Sequence, residues 1–498
     1  MAQDIVIIGG GLGGLAAGVR LAQAGRGVVL YERQPRTGGY ATDFTRNGYT
    51  FDPALHAVPE GGPGGCFNEL TGRLGIDDDV SFVKVPHAFQ TVLGEERYTA
   101  PNDPDAGFEW LASLSPQDRD GLLRLRRDIE RYAPLYDGLV EGRLSPWQIA
   151  TRFVPRLPLF LHHTDLGVDR YLSRLVRSPL VKALLFQPAV FYGYPMREFS
   201  TVNYIVMLSM LKLGGLYTIR GGGRALSDAL RRRLVALGGD VRCGVAVEKV
   251  LVRGGRAVGV RLAGGAEREA SAVIANVNTR ALVHELVGDE HFPRGYVRAL
   301  DTLGNSLSVV QLHVGLECPL EQVGIDRYLT TVFPDSDIDG CMVRQRQSRF
   351  LEGCSITAPG VADPRAVGPR GPTLSVVGAV DPAQWLSLSP DEYREAKEEC
   401  TEKTLALLEG VYPGVRSHCV TVDLATPHTF HRYTGNPDGA IMGFASHIGA
   451  HRPLLKISRM PIRGLHLASA WTLRFGGMMQ AMRAGVAAAE KVLNQGRG

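Results

Sequence analysis

The spacing of hydrophobic and polar residues changes period several times along the chain, and each change marks an element. Ile5-Val6-Ile7-Ile8 is a short β-branched apolar run, which predicts a buried strand. The glycine-rich stretch Gly9 to Gly14 follows, and Leu15 to Ala22 then sets small and apolar residues at helical spacing. Gly27 to Tyr31 predicts a second strand, Phe67 to Leu74 a helix, and Val80 to Tyr98 alternates as strands do. From about Asp103 to Gly214 the period becomes helical. There Leu122, Leu123, Leu125, Ile129 and Tyr132 share a face, with arginines opposite. Gly221 to Gly223 turns into a helix through Leu230. Val241–Cys243, Ala246–Val252 and Ala257–Leu262 read as short strands, the last two joined at Gly254-Gly255-Arg256. Ser271 to Asn276 is another buried strand, expected to return to the first. Ser306 to Pro453 alternates strands and loops around one clear helix, Asp391 to Leu408. Gly464 to Trp471 predicts a last strand and Met478 to Leu493 a small-residue-rich helix. The sum is an α/β fold.

The glycine stretch fits G-x-G-x-x-G through Gly9, Gly11 and Gly14, between a strand and a helix. Gly9 allows the tight turn, Gly11 admits a pyrophosphate to the backbone, and Gly14 brings helix and strand together. The helix N-terminus then offers free N–H groups and a favourable dipole to the phosphates. The second strand ends at Glu32, placed to bind a ribose 2′-hydroxyl and to repel a 2′-phosphate. Strand, loop, helix, strand and acid in this order predict a dinucleotide site. No second such motif follows; Gly221-Gly222-Gly223-Arg224 has the wrong spacing.

Composition narrows the class. At 498 residues the chain can bury a large core in two or three units. A formal charge of +4 gives no reason to expect nucleic acid, though it suits contact with an anionic bilayer. Seven cysteines without a C-x-x-C pair predict a reducing compartment, no disulfide framework and no metal centre. The N-terminal run lacks a basic leader, and no apolar stretch is long enough for a transmembrane helix, so a cytoplasmic location is expected.

Gly38-Gly39, just past Glu32, makes the chain resemble FAD-binding oxidoreductases of the glutathione-reductase-like fold. The whole chain resembles the phytoene-desaturase-like flavoproteins, which include carotene desaturases, carotenoid cis–trans isomerases and retinol saturases. The matching residues are Gly9, Gly11, Gly14, Glu32, Gly38, Gly39, Phe51 and Asp52; Gly221 to Leu230; and Leu467-Ala468 to Trp471, Gly476-Gly477, Ala481 and Gly485. The resemblance implies one bound FAD. Val247 then lies beside the adenine, and Trp471, Gly477 and Met478 near the flavin ring. It also implies an FAD-binding Rossmann domain assembled from residues 1–75, 215–300 and 455–498, a mixed-sheet substrate domain from 76–102 and 301–454, and a helical lid over 103–214. Ala425-Thr426-Pro427-His428-Thr429-Phe430-His431-Arg432-Tyr433-Thr434-Gly435-Asn436, with Gly439 closing the motif, resembles the isomerase and saturase branch, as does His56. Tyr40, Ser469 and Arg474-Phe475 depart from the family pattern.

An apolar polyene or isoprenoid substrate is implied, with desaturation, saturation or flavin-dependent isomerisation as the reaction. Arg432 is the candidate for a charge near the reacting centre, and His56 and His431 are candidates for acid–base work. His428 is a third histidine of the same kind. Trp147 to Leu161 is compatible with either peripheral membrane contact or core packing. Two other functions compete: an amine-oxidase-like flavoenzyme, and a non-enzymatic prenyl-binding escort, against which the intact loop and Glu32 argue. Oligomeric state is not legible.

Overall fold

The computed structural model describes residues 4–54, 56–140, 147, 151, 154, 163–212, 215–445, 447–472 and 476–495. Ile5–Ile8 lies at the centre of a five-stranded parallel sheet. Val28–Glu32 and then Asp240–Cys243 lie on one side, Ala272–Ala275 and then Leu465–Leu467 on the other. Alternation splits these strands between two cores. Ile5, Ile7, Leu30 and Ile274 pack under the Leu12–Gln23 helix, while Val6, Ile8, Tyr31 and Val273 face the other side. Each fully buried aliphatic side chain contributes about 1.5–3 kcal/mol relative to exposure.

The Leu12–Gln23 and Met478–Gln495 helices pack so closely that a Cβ on Gly485 would lie 2.0 Å from the Gly13 carbonyl oxygen. Arg20 Nε donates to Glu490 Oε1 at 2.7 Å across the same contact.

A seven-stranded mixed sheet forms the second layer. Its order is Cys419–Ala425, Ser308–Leu316, Thr373–Val380, Cys354–Thr357, Leu329–Phe333, His87–Leu93 and Glu96–Pro101. All its pairings are antiparallel except that of Leu329–Phe333 with His87–Leu93. Val310, Leu312, Val314, Ile356 and Val376 face the long helix Pro390–Val411. That helix starts at a capping box in which the Glu392 carboxylate takes the Ser389 N–H at 2.9 Å. The opposite face of the sheet looks into a cavity.

Helices from the 103–212 segment form a third core, in which Leu122, Leu125 and Ile129 meet Tyr204, Ile205 and Leu208. Leu123, expected on the same face, is 43% exposed, because it sits one position off the buried stripe. Most of Trp147 to Leu161 lies outside the described residues, as do Arg474 and Phe475. The two described apolar side chains of the former, Trp147 and Val154, are exposed. No described helix is long and apolar enough to cross a membrane.

The strand expected over Gly464 to Trp471 is shorter, Leu465–Leu467. Ser469 Oγ accepts the Trp471 N–H at 3.2 Å, a local turn that competes with the ladder and bends the chain over the glycine loop.

Candidate functional site

The glycine loop is shaped by contacts no larger residue would allow. Gly9 has φ +93°, and a Cβ there would meet the Asn276 carbonyl oxygen at 2.5 Å; a Cβ on Gly14 would lie 2.1 Å from the Gly9 oxygen. The Asn276 amide, in the orientation that satisfies both its ends, accepts from Gly11 N at 3.1 Å and Gly14 N at 3.2 Å and donates to Ala468 O at 3.1 Å. The loop is therefore clamped by the residue after the Ala272–Ala275 strand and by the one after Leu465–Leu467. Gly38 N donates to Gly10 O at 2.9 Å, which sets the second glycine pair against the first loop. The opening turn of the Leu12–Gln23 helix thus points its N–H groups at a lined hollow, the chemistry that holds a pyrophosphate.

Glu32 sits at the tip of its strand, 8% exposed. Its carboxylate accepts Gly10 N at 2.7 Å and Gln34 N at 2.8 Å, which fixes its direction at the edge of the hollow. Val245 N donates to Glu32 O at 2.9 Å, and Val247 follows two residues later on the same wall. Asp52 accepts the Gly223 N–H at 2.6 Å and so ties the turn at Gly221 to Gly223 to the N-terminal segment.

At the other end, Gly476, Gly477 and Met478 line the cavity where the last helix begins. Trp471 is 4% exposed, and its Nε1 donates to Asn436 Oδ1 at 3.2 Å. Asn436 Nδ2 donates to Ala440 O at 3.1 Å and lies 3.4 Å from the Tyr40 hydroxyl, which itself donates to Ala440 O at 3.2 Å. Burial raises the Tyr40 pKa, so its hydroxyl stays a neutral donor. Three distant stretches, after Gly39, within the 425–439 motif and before the last helix, are joined by this network. Tyr40 fills its unusual position by serving it.

The cavity has a volume of about 1780 Å³ and runs from the glycine loop to the seven-stranded sheet. Pro188, Val190, Phe191, Tyr192, Met207 and Met210 form its apolar side from the helical segment. The sheet contributes Val309, Gln311, His313, Thr331, Ser355 and Val377 among others.

The structure does not gather Arg432, His56 and His431 into one cluster. His56 is on the wall against the sheet, its Nδ1 2.9 Å from Thr357 Oγ1 and its ring stacked on Phe191 at 6.2 Å. Burial pushes its pKa down to about 4, so it is neutral near pH 7. Arg432 is exposed at the rim, its guanidinium over the Tyr433 ring at 5.4 Å. His431 is exposed, does not line the cavity, and its Nδ1 lies 2.8 Å from the Asn436 carbonyl oxygen at the end of its helix. His428 lines the rim and packs edge-on against Tyr393 at 5.0 Å.

Sequence reasoning missed His313 and Asn276, and it placed Asn436 in the 425–439 motif without giving it a role. A signal existed for the first. His313 shares the period-2 face of Gln311 in a strand that is buried throughout, and a polar residue there faces something other than core.

The family described as flavin-containing amine oxidoreductase matches residues 12–493. The chain is 27% identical to a neurosporene-forming phytoene desaturase of Rhodobacter capsulatus, over 87% of this chain and 83% of that protein. It is 22% identical to the chloroplastic prolycopene isomerase 1 of an Oncidium hybrid cultivar, over 88% and 74%. An oxidoreductase structure from Methanosarcina mazei superposes with a TM-score of 0.63 at 18% identity, covering 99% of this chain and 100% of that one, a likeness of fold.

Proposed function

This chain belongs to the flavin-containing amine oxidoreductase family, and from that premise we propose that it acts on C–C or C=C bonds of an apolar polyene or isoprenoid. It is an FAD-dependent oxidoreductase. The observation that carries the substrate reading is the continuity of the cavity: one hollow begins at the glycine loop and ends between apolar helices and the inner face of a sheet. The relatives named for desaturation and isomerisation of carotenoids support it.

FAD fits the residues present, in a glutathione-reductase-like arrangement. The Gly9, Gly11 and Gly14 loop would hold the pyrophosphate, Glu32 the ribose and Val247 the adenine side. Gly38, Gly39, Trp471, Gly477 and Met478 would surround the flavin end. When bound, the flavin supplies a ring that can accept or return a hydride. The chain's own residues orient the substrate, keep water out with apolar walls, and hold the 425–439 segment to the site through Asn436 and Trp471. His56, neutral and anchored by Thr357, is the acid–base candidate whose placement suits the cavity best; Arg432 lines its rim, and His431 lies outside the lining.

An amine substrate is disfavoured by charge. Asp423, the acid among the described sheet residues facing the cavity, is already paired with Arg46 at 3.1 Å and Lys397 at 3.8 Å. The proposal extends to lipid: the exposed Trp147 and Val154 suit contact with a membrane surface that delivers an apolar substrate.

Anaerobic incubation of polyenes with the enzyme carrying oxidised flavin, and in parallel with the enzyme whose flavin has been chemically reduced, tests the reading. A product two mass units lighter identifies desaturation, two heavier saturation, and an isomer of equal mass isomerisation. Silence towards polyenes together with peroxide formation from amines would overturn it.

A further inference from the structure

His313 is a buried imidazole on the inner face of the sheet. It is 1% exposed and lines the cavity, yet neither ring nitrogen has a hydrogen-bond partner. Gln311, Thr331 and Thr357 on that face are paired, while the Thr421 hydroxyl further along is not. Gln311 Nε2 donates to Ser375 Oγ at 2.7 Å, Gln187 Nε2 donates to Thr331 Oγ1 at 2.8 Å, and His56 Nδ1 meets Thr357 Oγ1 at 2.9 Å. A buried polar group left unpaired is costly, and native proteins seldom keep one without a use.

Strand register places His313 in a polar row. It lies opposite Ser375 on one side and Asp423 on the other, and Ser375 lies opposite Thr357, which holds His56. After burial, the nearness of His56 is a second cause that lowers the His313 pKa. Aromatic rings fix the His313 imidazole: Phe44 meets it edge-on at 4.9 Å, and Phe51 lies at 5.4 Å. The result is a rigid polar spot with apolar surroundings.

We propose that His313, with His56 beside it, forms an oxygen-recognising subsite, and that the apolar substrate carries a neutral hydroxyl or carbonyl group that hydrogen-bonds there. The proposal rests on the polyene or isoprenoid reading and deepens it. Burial pushes His313 down to about 3 and His56 to about 4, so both rings are uncharged near pH 7. A neutral imidazole offers one N–H donor and one nitrogen acceptor, which matches a hydroxyl on both counts and a carbonyl on one. It does not match a carboxylate or an ammonium group, whose charge would need a counter-ion here. The only acid in the row, among the described residues, is Asp423, and its charge is taken by Arg46 and Lys397.

The test titrates the flavin-loaded enzyme with phytol and with phytene, the hydrocarbon that lacks its hydroxyl, reading the perturbation of the flavin spectrum. The wild type is expected to prefer the alcohol by roughly 3- to 10-fold, the yield of one neutral hydrogen bond. His313→Phe should bring the ratio near one, and His313→Gln, which keeps a donor and an acceptor, should retain part of the preference. A wild-type ratio near one, or a ratio unchanged in His313→Phe, overturns the subsite; the wild-type ratio decides alone should His313→Phe fail to hold flavin. Uptake of neither ligand strikes at the substrate class itself and takes the subsite with it, whereas equal uptake strikes at the subsite alone.

Discussion

Glu32 serves two masters at once. Its carboxylate terminates the backbone at Gly10 and Gln34, and it is the acid placed for a ribose. Glu32→Ala is therefore expected to strip both N–H groups of their acceptor and to weaken FAD retention by roughly tenfold or more, as loss of a hydrogen bond to a charged group does. Flavin absorbance after gel filtration measures it. The buried histidines make a second prediction, on acid stability. His313 and His56 have folded pKa values of about 3 and about 4, below the ordinary 6.5. Between the folded and the ordinary values the unfolded chain binds more protons. Stability is thus fully present above pH 6.5 and is lost as pH falls towards 4, at up to about 1.4 kcal/mol per pH unit for a fully buried group such as His313. Melting midpoints across that range should fall less steeply in His313→Phe than in the wild type.

At the scale of elements, the contact between the first and last helices depends on missing side chains. Gly485→Ala would drive a methyl into the Gly13 carbonyl, 2.0 Å away, and push the glycine loop out of line. A loss of about 1–3 kcal/mol is expected from such overpacking, read by thermal melting, with reduced flavin content, read by flavin absorbance of the purified protein. How much was legible follows from locality. The Ile5-to-Glu32 unit was readable because its strand, turn, helix and acid are contiguous and each obeys its own period. The Pro390–Val411 helix was readable for the same reason. The row of Asp423, His313, Ser375 and Thr357 was not, because only the pairing of four separated strands brings it together. The last strand was overread because Ser469 looks like a strand residue by its apolar neighbours, while its hydroxyl turns the chain. Arg432 and His431 were singled out by resemblance; helix geometry, which sequence spacing leaves open, put one at the rim and the other outside.

For the whole molecule, the exposed apolar side chains of Trp147 and Val154 give the membrane reading a direct check. Cosedimentation with anionic phospholipid vesicles is expected to carry the wild type down and to carry Trp147→Ser down less, with the difference persisting in salt, since an inserted indole is not held by charge. Absence of any vesicle binding would refute lipid contact. The central strand Ile5–Ile8 has a further consequence. Its neighbours begin at Val28, Ala272 and, one strand further, Leu465, and the helix that closes on the glycine loop starts at Met478. A ribosome making this protein releases the loop well before the pieces that clamp it. The emerging chain cannot grip its coenzyme until Leu465–Leu467 and Met478–Gln495 have followed the loop out, and a message truncated before the codon for Leu465 should yield a product that never turns yellow.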